Sequence, residues 1–168
     1  MLPNFYVILA CGLIPFFVAF IWYHPKLFGG DSWQKTVGLT KEQTAIKVSP
    51  IKILLSVLLN ILLAFGLYLL CVHQSGILGI LGGDFEAVTT GTTKAFMDEY
   101  GTAQLGFAHG MFHGFFSGTI AFALPIVGYV YIFERKSAKY LWVNLGFWAI
   151  SFMLMGGVIG EWGWQLIN

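Results

Sequence analysis

Charge is what this sequence has least of. Only 10% of its 168 residues are Asp, Glu, Lys or Arg, against about 25% in a soluble domain. A chain that is 57% apolar and 17% aromatic, with a mean hydropathy of +0.76, has too little polar surface to fold in water, so lipid is the expected solvent for most of it. A net charge of +1 supplies no basic face, and no nucleic-acid partner is expected. Cysteine is scarce as well. Cys11 and Cys71 fit no metal or redox spacing; they fall in apolar stretches at different membrane depths and read as free, buried thiols. The first residues lack both a basic leader and a small-residue cleavage pattern, so the first apolar run reads as a retained span rather than a signal peptide.

What is present is long apolar runs, four of them: span 1 at Phe5–Tyr23, span 2 at Ile51–Val72, span 3 at about Ala103–Phe133 and span 4 at Lys139–Trp164. Nineteen helical residues reach about 28 Å, close to the hydrocarbon thickness of a bilayer. The expected fold is therefore all-α, a single membrane domain built as a four-transmembrane-helix bundle. Pro15 and Pro125 mark bends in spans 1 and 3. Tryptophans near the ends of spans 1 and 4 suit the headgroup region. Short interfacial helices are expected in the first and second loops. In the first, Asp31 with Gln34 and Thr40 with Gln43 have capping-box spacing, and Trp33, Val37, Leu39 and Ile46 suit the membrane surface. In the second, Thr93 is placed to cap a helix through Tyr100, with Phe96 and Tyr100 on one face. Asn60, inside span 2, is expected to face a partner helix. Spans 1–2 and 3–4 form two hairpins without a matching repeat.

Basic residues fix the expected orientation. Lys26, Lys35, Lys41 and Lys47 lie in the loop at 24–50, Arg135 and Lys136 in the turn at 134–138, and Lys139 and Lys52 at their borders; Lys94 is alone on the other side. The positive-inside rule then makes those two loops cytoplasmic and puts both termini and the acidic second loop outside.

The densest pattern is Gly106–Gly118, GFAHGMFHGFFSG. Glycine at 106, 110, 114 and 118 draws one bare stripe along a helix, and His109, His113 and Ser117 draw a polar stripe beside it. Gly156, Gly157 and Gly160 give span 4 its own small-residue face. Such faces let backbones approach closely, either within this bundle or between copies of it or a partner protein.

Four ionisable groups are expected near the outer face. His73 follows span 2, His109 and His113 lie in the first turns of span 3, and Glu161 ends span 4. The expectation is one pocket formed by His109, His113 and Glu161, with His73 at its rim. Imidazole and carboxylate suit zinc, and imidazole also suits iron or copper; a polar ligand, a shuttled proton and plain structural hydrogen bonds are the alternatives. The cofactor is left open. Catalytic constellations are not legible. His109-Gly-Met-Phe-His113 has glycine where an H-E-x-x-H metalloprotease needs its glutamate, no serine or cysteine has a histidine–acid partner arrangement, and span 1 lacks the acidic residue of four-span multidrug exporters.

Trp22-Tyr23-His24-Pro25-Lys26-Leu27-Phe28-Gly29 followed by Trp33, His113-Gly-x-x-x-Gly118, Phe133-Glu-Arg-Lys136 and Asn144 together resemble an uncharacterised family of small four-span bacterial membrane proteins, a domain of unknown function. The resemblance covers most of the chain outside the second loop. It implies the same fold and a bacterial inner membrane, and it assigns no activity or catalytic residue. The reading that follows is a small membrane protein that binds or moves a small molecule or ion through an outward-facing polar pocket. The alternatives are an assembly subunit that docks through its glycine faces, and a metal or haem redox protein.

Overall fold

The computed structural model describes residues 2–24, 30–40, 42–43 and 46–165. Four helical stretches are long and apolar enough to cross a membrane: Phe5–Trp22, Pro50–Cys71, Phe107–Phe133 and Ala138–Trp162.

The first crossing is two helices, α1 (Phe5–Cys11) and α2 (Ile14–Trp22), joined by a turn at Gly12–Leu13. Asn4 caps α1 by accepting from the Val7 N–H at 3.4 Å. The interruption falls just ahead of Pro15, which occupies the first turn of α2, where its missing N–H costs nothing. Gly12 makes room for span 2, since a Cβ there would meet Ile61 Cγ1 at 2.5 Å.

The described part of the first loop holds α3 (Gly30–Val37). Tyr23 bridges it to the bundle, its ring lying 4.9 Å from that of Trp33 and 5.2 Å from that of Phe147. Trp22 Nε1 donates to the Val143 carbonyl at 3.0 Å. The Thr40–Gln43 box is reciprocal: Thr40 N–H donates to Gln43 Oε1 at 2.9 Å, and Gln43 N–H donates to Thr40 Oγ1 at 3.2 Å. The proposed cap at Asp31 and the end of span 1 at Pro25 lie outside the described side chains and residues.

Span 2 is α4 (Pro50–Cys71), with Ser49 as its cap and Pro50 in its first turn. The second loop folds into α5 (Gln74–Ile80), α6 (Phe85–Val88) and α7 (Gly91–Tyr100). Thr90, rather than Thr93, precedes α7 as its cap residue, and the Phe96 and Tyr100 rings lie 5.0 Å apart on one face. Gln74 pins the loop by donating from Nε2 to the carbonyls of Gly101 (3.2 Å) and Ala103 (2.8 Å).

Span 3 starts at Phe107, four residues later than hydropathy alone places it. Gly106, at φ +136°, turns the chain into the helix in a conformation that favours glycine. The span runs as α8 (Phe107–His113), a π-wound stretch (Gly114–Ala123) and α9 (Leu124–Phe133). The irregularity expected at Pro125 is thus spread over the ten residues before Leu124, and Pro125 itself sits in the first turn of α9. Span 4 is α10 (Ala138–Trp162), capped by Ser137, which accepts from the Tyr140 N–H at 3.2 Å.

Spans 3 and 4 pack backbone to backbone. A Cβ on Gly110 would run into the Gly156 carbonyl, and one on Gly156 into the Gly110 carbonyl. A Cβ on Gly160 would meet Gly110 Cα at 2.8 Å, and one on Gly118 would meet Phe152 Cγ at 2.5 Å. One backbone hydrogen bond even crosses between the helices, from Gly106 N–H to Gly160 O at 2.8 Å. Met155 and Ile159 are fully buried beside this contact. Cys11 and Cys71 are buried free thiols, with Cys71 Sγ 3.8 Å from the Gly110 carbonyl. At the same end of the bundle, Leu2–Pro3 pairs antiparallel with Trp164–Gln165, and Asn4 N–H donates to the Gly163 carbonyl at 2.8 Å.

Candidate functional site

Three histidines meet where span 2 ends and span 3 begins. His73 stands two residues beyond α4, held in helical conformation as the residue before α5. His109 and His113 are one turn apart on α8, so both rings project from the same face. The glycine stripe of α8 packs against span 4, and the histidine stripe beside it, one residue round the helix, meets His73 at the end of span 2.

One ligand nitrogen from each histidine can be chosen so that all three lie within 4.8 Å of one another. His109 Nε2 and His73 Nε2 are 3.3 Å apart, so one carries its proton there and the other accepts it. The ring centroids stand 4.6 Å apart for His109–His113, 4.9 Å for His73–His113 and 5.3 Å for His73–His109, all edge to face. His73 is exposed, and the other two are half-buried. Tetrahedral zinc with nitrogen ligands at about 2.0–2.1 Å separates those nitrogens by roughly 3.4 Å, close to the His73–His109 spacing.

Glu161 lies at the same end but has another partner. Its Oε2 accepts from the Phe107 N–H at 2.8 Å, which satisfies one of the orphan donors at the start of α8 and places a negative charge at a helix N-terminus. It is not one of the three groups brought within ligand distance of each other. His73, expected at the rim, is instead a full member of the cluster. Its membership follows from the turn at Val72–His73, which starts α5 directly after span 2; hydropathy gives the depth of that turn and not the direction of the ring. The Glu161–Phe107 contact had a sequence signal, a carboxylate near the end of span 4 set against the glycine-led start of span 3.

Fold and site together define a small four-helix bundle of membrane-spanning type, carrying a histidine cluster at one end. The chain belongs to the family described as protein of unknown function (DUF1761), whose model matches residues 6–160. No curated protein and no solved structure matches it.

Proposed function

We propose that this is a membrane protein that binds a small ion, a divalent transition metal, at an outward-facing site formed by His73, His109 and His113. The observation that carries the reading is the convergence of three imidazoles within 4.8 Å from two different spans. Imidazole suits zinc, copper, nickel and cobalt, whereas magnesium and calcium prefer all-oxygen shells. Three histidines also leave a coordination position open to water or to an incoming group. Glu161 serves the site from behind, by holding the first turn of α8 to the end of span 4. The lysine and arginine distribution supports placing the loops at 24–50 and 134–138 on the cytoplasmic side, with both termini and the histidines outside.

The assembly-subunit alternative loses its motive, because Gly110, Gly114, Gly156 and Gly160 meet backbone within their own chain.

The test is equilibrium dialysis of the detergent-purified protein against zinc, followed by elemental analysis. About one zinc per chain is expected, and His73→Gln, His109→Gln and His113→Gln should each abolish retention. Wild-type protein that retains no more zinc than the triple variant would end this reading.

A further inference from the structure

A second site lies in the other half of the bundle, away from the histidines. Spans 1, 2 and 4, with Ile126 of span 3, leave a groove of about 840 Å³, lined among others by Pro15, Phe16, Ser56, Asn60, Phe147 and Trp148. Its walls are almost entirely apolar, which is ordinary for a surface that faces lipid. Asn60 is not ordinary. It is 9% exposed, it lines the groove, and its amide has no hydrogen-bond partner among the described residues. Ser56, one turn earlier, is already satisfied by donating to the Lys52 carbonyl at 2.8 Å. Trp148 lines the same groove, and its indole N–H is also without a partner among the described residues. An unpaired amide in an apolar medium is costly, so these two donors together call for an acceptor brought by an occupant.

Depth narrows the occupant. Asn60 lies ten residues after Pro50 and eleven before Cys71, so about 15 Å of helix separates it from either end of its span, near the bilayer midplane. A phospholipid keeps its ester oxygens at the interface and reaches this depth only with chain methylenes, which accept nothing. The groove also offers aromatic walls. Phe16, Phe147 and Trp148 line it, and the Trp148 ring stands 4.9 Å from that of Phe147. Flat rings pack against such surfaces. The volume falls within the range of small-molecule pockets, about 300–1,000 Å³.

We infer that this groove binds a lipid-soluble compound that carries carbonyl oxygens on a flat ring with an apolar tail, a quinone in chemical class, with the Asn60 amide donating to a ring carbonyl. The site is independent of the histidine cluster and of any ion bound there.

The experiment uses the full chain in phosphatidylcholine nanodiscs, titrated with decylubiquinone, with tryptophan fluorescence quenching as the readout and decylbenzene as the carbonyl-free competitor. Saturable binding of one quinone per chain is expected, with no competition from decylbenzene. Asn60→Leu should weaken binding at least tenfold while leaving zinc retention unchanged, and Trp148→Phe should weaken it severalfold. If Asn60→Leu does not fold, Asn60→Ser carries the same test, since it keeps a polar group but loses the reach. Three results would overturn the assignment: equal affinity in the Asn60 variant, equal binding of decylbenzene, or a dimer in native mass spectrometry that Asn60→Leu dissociates, which would make a second copy the occupant.

Discussion

The Glu161 carboxylate accepts a hydrogen bond from the backbone N–H of Phe107 at 2.8 Å, and one residue earlier the Gly106 N–H donates to the Gly160 carbonyl at 2.8 Å. The end of span 4 thereby caps the start of span 3. Removing the side-chain half of this cap should loosen the first turn of α8 without touching a ligand nitrogen. Glu161→Ala is expected to lower stability by roughly 1 kcal/mol, the usual worth of an N-cap, read from thermal unfolding in detergent. Zinc stoichiometry should stay at the wild-type value. Loss of zinc with unchanged stability would instead make Glu161 a ligand.

The glycine contact gives a graded series. Gly110→Ala and Gly114→Ala place a methyl where span 4 backbone already lies, and each should destabilise by at least the 1–3 kcal/mol of overpacking. Gly128 lies on the same span with nothing within 4 Å of a built Cβ, so Gly128→Ala should be neutral or slightly stabilising by helix propensity. Similar unfolding temperatures for all three would show that the stripe bears no tight contact.

Metal retention should depend on pH with a definite sign. A histidine binds a metal only when its nitrogen lone pair is free, so protons compete with the ion and binding releases them. Zinc affinity should therefore fall as pH drops through the range where imidazoles charge, about pH 8 to 5, and return on neutralisation. Isothermal titration in two buffers of different protonation enthalpy reads the proton release directly. Affinity that is flat across this range would exclude the imidazoles as ligands.

Orientation is open to chemical labelling. The native thiols are buried, so the background reaction of a membrane-impermeant maleimide with intact cells should be low. Thr90→Cys should label from outside and Gln43→Cys should not, labelling only after lysis. The opposite pattern would turn the bundle over and put the histidines on the cytoplasmic side.

Much of this architecture was legible because lipid imposes simple rules. Length and hydropathy locate the four helices long and apolar enough to cross a membrane to within a few residues, and the glycines at 110 and 114 lie where span 4 backbone approaches. The Thr40–Gln43 box was readable because capping is local. What escaped the sequence was azimuth. A count back from the turn at 134–138 puts Glu161 and His109 at similar heights, but height does not say which way a side chain turns, and the carboxylate goes to the Phe107 N–H. A helical wheel assumes uniform winding, whereas Gly114–Ala123 is wound wider than an α-helix, and that departs from the simple His109–His113–Ser117 ladder. The break in span 1 falls at Gly12–Leu13 rather than within the helix at Pro15, because proline is readily accommodated in a helix's first turn.

Spans 3 and 4 are joined through backbone, at Gly106, Gly110, Gly156 and Gly160, and two of the three cluster nitrogens belong to that pair. The third comes from His73, at the end of span 2, which meets span 3 through side chains such as Cys71. An ion held by all three would act as a clasp across the softer seam of the molecule. Its binding energy would add little to the glycine-locked pair and much to the hold between that pair and the rest. Any rocking of span 2 against spans 3 and 4 would open the clasp, so ion release would accompany that motion.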